Sequence, residues 1–164
     1  MESAQGHGTC VTIYLPKTFD ESDSARILDM PEETRFTGRV LLVEDNRDVS
    51  VVTRGLLEDL CFVVDFVADA ESALCHLQTT DHVYRFLLSD IVMPGAINGL
   101  ELARRVRRST SKSVPIILAT GYSEQAPSAA DDGFVLLRKP YGMLELRKVV
   151  VAILADAMTT ENVA

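Results

Sequence analysis

From Arg39 onward, short apolar runs of strand length alternate with segments of helical period, five times over, and this constrains the fold more than anything else in the chain. The strand runs are residues 40–43, 62–67, 86–88, 114–119 and 134–137. Each is rich in Val, Ile, Leu or Phe, as expected of strands covered on both faces. Between them, Val49, Val52, Leu56 and Leu60 recur with the period of one helix face. Ala70, Ala73, Leu74 and Leu77 do the same behind an Asp69 cap. Leu102 and Val106 mark a third helix, and Leu146, Val149, Val150 and Ile153 mark a last one expected to end near Asp156. Alternating βα order implies a parallel sheet with right-handed crossovers and helices on both faces. Five strands are too few for a barrel, so the fold class is α/β, an open doubly wound sheet.

Upstream of Gly38 the texture changes. Residues 1–16 contain one alternating run, Val11, Ile13 and Leu15 against Thr12 and Tyr14, closed by Pro16, which reads as an isolated strand. A single strand cannot stand as a domain. Residues 17–37 are acidic and polar, with Ile27 and Leu28 their main apolar pair, and read as a linker, helical at most over 25–30. The domain proper is expected over residues 38–157, followed by a polar tail at 158–164.

Charge and cysteine usage narrow the function classes. In the 164-residue chain, 16 Lys and Arg against 24 Asp and Glu leave a net charge of −8, which repels a phosphodiester backbone and argues against direct nucleic-acid binding. The 3 cysteines, Cys10, Cys61 and Cys75, are odd in number and share no metal or redox spacing, as expected of free thiols in a reducing compartment. The longest apolar run, residues 149–155, is far too short to span a bilayer, and no secretory leader is legible. A cytoplasmic protein with no membrane partner is expected.

In an open α/β sheet, ligands bind beyond the carboxyl ends of the strands, so the residues that follow each strand matter most. Glu44 and Asp45 follow the first strand, Asp90 the third, Thr120 the fourth and Lys139 the fifth. Carboxylates crowded together repel and raise one another's pKa unless a cation lies among them. All-oxygen donors at that density suit Mg²⁺ or Mn²⁺. Three carboxylates, a divalent ion and one ammonium sum to zero charge. Such a site can stabilise a phosphoryl group in transfer, and Asp90, alone after the central strand, is the candidate nucleophile. Thr120 and Lys139 are placed to contact phosphoryl oxygens.

These residues also carry a resemblance. Leu41-Leu42-Val43-Glu44-Asp45-Asn46, Ser89-Asp90-Ile91-Val92-Met93-Pro94, Asn98-Gly99-Leu100-Glu101-Leu102, Ala119-Thr120-Gly121 and Arg138-Lys139-Pro140 together resemble the receiver domain of two-component response regulators. The resemblance implies a flavodoxin-like (CheY-like) sheet of strand order 2-1-3-4-5. It also implies that Asp90 takes phosphate from a phosphohistidine, with Mg²⁺ held by Glu44, Asp45, Asp90 and the Val92 carbonyl. Thr120 and Lys139 would contact the phosphoryl group, and the Lys139–Pro140 peptide would be cis. The implied partner is a histidine kinase or a histidine phosphotransfer protein, with a homodimer left open. Residues 6–16 resemble the last strand of a histidine-kinase ATP-binding domain. That points to the C-terminal receiver of a hybrid kinase, with a remnant too small to bind ATP. No output domain is legible after residue 156, so any effect on DNA would be indirect, and turnover as an enzyme is not expected.

Some positions depart from the family pattern. Leu136 stands where relatives carry the aromatic residue that turns inward with the threonine, and Phe134 lies two positions away. The interval from Thr120 to Lys139 is short, and residues 123–132 contain Pro127 and few large apolar groups, so a short or irregular fourth helix is expected. Val92 and Tyr122 occupy the two positions that tune phosphate lifetime in relatives. Neither can orient an attacking water, so slow self-hydrolysis is expected.

Bland readings compete. Glu44 and Asp45 taken alone would serve as helix caps, and Asp90, Thr120 or Lys139 alone as solvated loop residues. His7, His76 and His82 lack partners at ligand spacing, and Arg104, Arg105, Arg107 and Arg108 read as a solvated face. A phosphate-independent binding module with the same fold is the alternative function. A flavin-binding protein would be repelled by Glu44 and Asp45, and a haloacid-dehalogenase-type phosphatase would place its nucleophile after the first strand.

Overall fold

The computed structural model describes residues 2–4, 8–10, 36–109, 114–121 and 126–161. The chain divides into two units, Met1–Thr34 and Arg35–Ala164. In the first, β1 (Glu2–Ala4) pairs antiparallel with β2 (Gly8–Cys10), with Ser3 opposite Thr9. The described backbone of this unit is therefore a two-stranded ladder, in which strand N–H and C=O groups partner one another. The alternating run at 11–15 and the helical stretch at 25–30 lie outside the described residues.

The second unit runs β3 (Arg39–Val43), α1 (Arg47–Asp59), β4 (Val63–Val67), α2 (Ala70–Thr79), β5 (Tyr84–Asp90), α3 (Gly99–Ser109), β6 (Ile116–Thr120), α4 (Ala126–Asp131), β7 (Val135–Arg138) and α5 (Met143–Glu161). All pairings are parallel, in the order β4-β3-β5-β6-β7, which is 2-1-3-4-5 counted along this sheet. Alternate side chains of the central strands point to opposite faces. Leu41, Val43, Leu87 and Leu118 pack with α2 and α3 residues such as Ala73 and Leu102. Val40, Leu42, Phe86, Leu88 and Ile117 pack with Leu57 of α1 and with Leu146 and Val150 of α5. The chain leaves β3 toward β4 on one side and reaches β5 on the other. The crevice beyond the carboxyl ends of β3 and β5 is therefore the switch point of the sheet.

Local differences from the sequence reading have identifiable causes. β4 is an edge strand, so Val63 and Phe66 remain exposed instead of being covered on both faces. The buried stripe of α1 is Ser50, Thr53 and Leu57; of the expected face, Leu56 and Leu60 do reach the core, while Val49 is half-buried and Val52 is 63% exposed. The helix starts from an Asn46 cap that accepts from Asp48 N and Val49 N, and this fixes its rotation. The buried hydroxyls are satisfied: Ser50 Oγ donates to the Arg47 carbonyl at 2.8 Å, and Thr53 Oγ1 lies 2.9 Å from Tyr141 Oη. α4 has only 6 residues, with Pro127 in its first turn, where the missing N–H costs nothing. α5 continues to Glu161, past the expected end near Asp156, since residues 157–161 contain neither Gly nor Pro.

The arginines of α3 are not a purely solvated face. Arg104 pairs with Asp132 at 2.7 Å, and Arg107 lies 3.7 Å over the Phe134 ring, so α3 grips the turn that leads into β7. Arg105 and Arg108 pair with Glu101 on the helix surface.

Candidate functional site

Three backbone ends converge on the crevice. Asn46 takes the capping role at α1, which leaves the two carboxylates before it free for other work. Glu44 is 3% exposed, and its Oε1 accepts Asn46 N at 3.3 Å. Asp45 is exposed. Asp90 ends β5, and its Oδ1 accepts the Val92 N–H at 3.2 Å. Oxygen atoms of Glu44, Asp45 and Asp90 all lie within 4.8 Å of one another. That spacing lets one small divalent ion touch all three, with waters completing an octahedron.

Lys139 enters from the opposite strand. Its Nζ donates to Glu44 Oε2 at 2.8 Å and to Asp90 Oδ2 at 2.7 Å. The Lys139–Pro140 peptide is cis, and Lys139 N donates to the Thr120 carbonyl at 2.7 Å, which ties the fifth strand end to the fourth. Burial pushes the Glu44 carboxyl above the usual carboxylate range, with the Asp90 charge adding to it, and Lys139 only partly offsets this. On Lys139, burial works against the ammonium, but hydrogen bonds and charge from Asp90 and Glu44 together hold it above the ordinary lysine value. Both groups sit in a partly buried cluster in which carboxylates outnumber the one ammonium. One ammonium does not neutralise three carboxylates, but the ammonium and a divalent cation together would.

The other expected residues fall around this centre. Thr120 is buried at the end of β6, its hydroxyl donating to the Gly121 carbonyl at 3.1 Å. Val92 is 60% exposed. Leu136 packs against the α2–α3 side of the core, giving the expected switch position volume but no ring. Tyr122 lies outside the described residues. Of the histidines, His76 Nε2 lies 2.7 Å from Tyr84 Oη, which donates to Asp65, so it belongs to a polar network away from the site; His7 lies outside the described residues.

Two neighbours were not picked out from the sequence. Tyr141, joined to Thr53, lines with Asp48, Val49, Val52, Lys139 and Pro140 an open groove of about 550 Å³ beside the site. Glu71 reaches from α2 to the loop after Asp90, where its Oε1 accepts Ala96 N at 3.2 Å. Neither signal was readable locally, because both contacts join residues far apart in sequence.

Comparison with known proteins gives the family and the fold. The family profile described as "Response regulator receiver domain" matches residues 40–151. Response regulator RppA of Synechocystis sp. is 32% identical over 114 residues, covering 66% of this chain and 47% of that protein. The virulence sensor protein BvgS of Bordetella bronchiseptica is 34% identical over 113 residues, covering 65% of this chain and 9% of that protein. The chain spans about half the length of RppA and of the similar regulatory proteins VanRB and PhoB. Chemotaxis response regulator CheY4 of Vibrio cholerae superposes with a TM-score of 0.62 at 24% identity, covering 72% of this chain and 99% of that one, and so shares the fold.

Proposed function

The chain belongs to the response regulator receiver-domain family, and on that premise we propose that Asp90 accepts a phosphoryl group from a phosphohistidine on a partner protein. The bridging of Asp90 and Glu44 by Lys139 Nζ, inside a three-carboxylate cluster at the switch point, carries this reading. In the transfer an oxygen of Asp90 forms a bond to phosphorus as the P–N bond breaks, and the imidazole leaves with that electron pair and takes up a proton. Lys139 follows the incoming charge from the carboxylate to a phosphoryl oxygen, and the Thr120 hydroxyl donates to another. Glu44, Asp45, Asp90 and the Val92 carbonyl would hold Mg²⁺, or Mn²⁺ in its place. When bound, the ion neutralises charge on the transferring oxygens.

The donor in this reading is a histidine kinase or a histidine phosphotransfer protein. Sensor kinases such as BvgS among the relatives support a receiver drawn from a hybrid kinase. We place the domain in the cytoplasm, where such donors act, and among the described residues no helix is long and apolar enough to cross a membrane. Phosphotransfer onto Asp90 is self-directed chemistry rather than turnover.

Incubation with acetyl phosphate and Mg²⁺, read by intact-mass spectrometry, tests the proposal. The expected result is a gain of one phosphoryl group that disappears with excess chelator. A gain indifferent to metal, or none with metal demonstrably bound, overturns it. Lifetime is a separate expectation. Val92 has no polar group with which to orient a water, so Val92→Asn should shorten the half-life of the adduct by roughly tenfold or more. Equal half-lives would show that this position does not limit hydrolysis.

A further inference from the structure

The loop from Ile91 to Asn98 joins the phosphoacceptor strand to α3 and contains Val92, the proposed carbonyl ligand. A backbone carbonyl is aimed by the loop that carries it, not by its own side chain. Several contacts fix this loop near its ends. Val92 N donates to Asp90 Oδ1 at 3.2 Å, Gly99 N donates to the Ile91 carbonyl at 3.0 Å, and Asn98 Oδ1 accepts Glu101 N at 2.9 Å. Ile91, Met93 and Ile97 are buried in the α2–α3 side of the core.

The tip of the loop, residues 94–96, is exposed and is tied from across the fold. Glu71 stands in the first turn of α2, a turn fixed by Asp69, which accepts from Ser72 N at 2.7 Å and Ser72 Oγ at 2.8 Å. Glu71 Oε1 accepts the Ala96 N–H at 3.2 Å. Its carboxylate lies beside Gly95, where an added Cβ would sit 3.4 Å from both oxygens. This hydrogen bond holds the outer end of the loop while the Asp90 carboxylate holds the inner end.

We infer that Glu71 is a positioning residue for the metal site, holding the Asp90–Gly99 loop in the form that presents the Val92 carbonyl to the cation. The inference rests on the proposed Mg²⁺ site. A side chain outside the coordination sphere that orients a ligand acts on metal affinity before it acts on chemistry.

The test is a Mg²⁺ titration of wild type, Glu71→Ala and Glu71→Gln, followed by the amide resonances of residues 90–96 and paired with phosphoryl uptake from acetyl phosphate across Mg²⁺ concentrations. Glu71→Ala should weaken Mg²⁺ about tenfold and speed hydrogen exchange at Ala96, while uptake at saturating Mg²⁺ stays near the wild-type rate. Glu71→Gln keeps an acceptor oxygen and should restore both affinity and protection. Unchanged Mg²⁺ affinity in Glu71→Ala, with or without a lower melting temperature, overturns the inference and leaves a merely structural bond. A Glu71→Gln variant as weak as Glu71→Ala also overturns it, because charge rather than the hydrogen bond would then be responsible. If wild type binds Mg²⁺ but takes up no phosphoryl group, the functional reading fails while the positioning result stands. If wild type binds no Mg²⁺ at all, both fail.

Discussion

Asp90→Asn should show no mass increment after incubation with acetyl phosphate and Mg²⁺, under conditions where the wild-type chain gains one phosphoryl group. A carboxamide oxygen lacks the charge of a carboxylate and cannot give a stable acyl phosphate, so the loss should be complete rather than partial. The fold should survive. Asn fills the same volume, and its carbonyl oxygen can still accept from either Val92 N or Lys139 Nζ, the two donors that Asp90 satisfies. One of them then faces the amide nitrogen, a mismatch worth about 1 kcal/mol. Against that, Glu44 is relieved of the Asp90 charge that helps to raise its carboxyl. The melting temperature should therefore move by only a few degrees, about what 1 kcal/mol produces in a domain of this size. An adduct persisting on the Asn variant would place the acceptor elsewhere, with the exposed Asp45 the first to try.

The fold was readable because burial and backbone period coincide in the central strands. Val40 and Leu42 face one helix layer, Leu41 and Val43 the other, and a run apolar at every position is what a strand covered twice requires. The site was readable for a topological reason. In a parallel sheet the carboxyl ends all lie on one edge, so Glu44, Asp45, Asp90 and Lys139 could be gathered from three places in the chain without knowledge of any distance.

What escaped depends on geometry that hydrophobic pattern does not encode. The rotation of α1 is set by the Asn46 cap and by the Thr53–Tyr141 contact, so two valines face outward while a serine and a threonine face in. Val63 and Phe66 are as apolar as their neighbours in the other strands, yet they sit on the edge, because strand order rather than composition decides which strand lacks a neighbour. Arg104 and Arg107 read as surface charge until the turn at Asp132 is brought against them. Glu71 stands in the first turn of α2, where hydrophobic pattern gives no hint that its carboxylate bonds to Ala96, 25 positions away.

Gly99 was legible only as one letter of a motif, and the structure gives it a physical reason with a large consequence. A Cβ built on Gly99 would lie 1.7 Å from the Asp90 carbonyl oxygen and 2.8 Å from its carbon. Both are backbone atoms, so no rotamer change relieves the contact. Gly99 N is also bonded to the Ile91 carbonyl at 3.0 Å, which keeps the two segments from separating without losing that bond. Gly99→Ala should therefore cost about 3 kcal/mol or more, the upper end of overpacking penalties. The melting temperature should fall by roughly 10 °C. Because the clash bears on the residue that carries the acceptor carboxylate, uptake by the surviving folded fraction should slow as well. Gly55 supplies the opposite case: it lies inside α1 with nothing within 4 Å of an added Cβ. Gly55→Ala should stabilise the chain by roughly 0.5–1 kcal/mol, since alanine loses less backbone freedom in a helix. Thermal melts of the two variants thus read opposite signs from the same chemical change. A Gly99→Ala chain that melts with the wild type would mean that β5 and the start of α3 do not approach as closely as the fold requires.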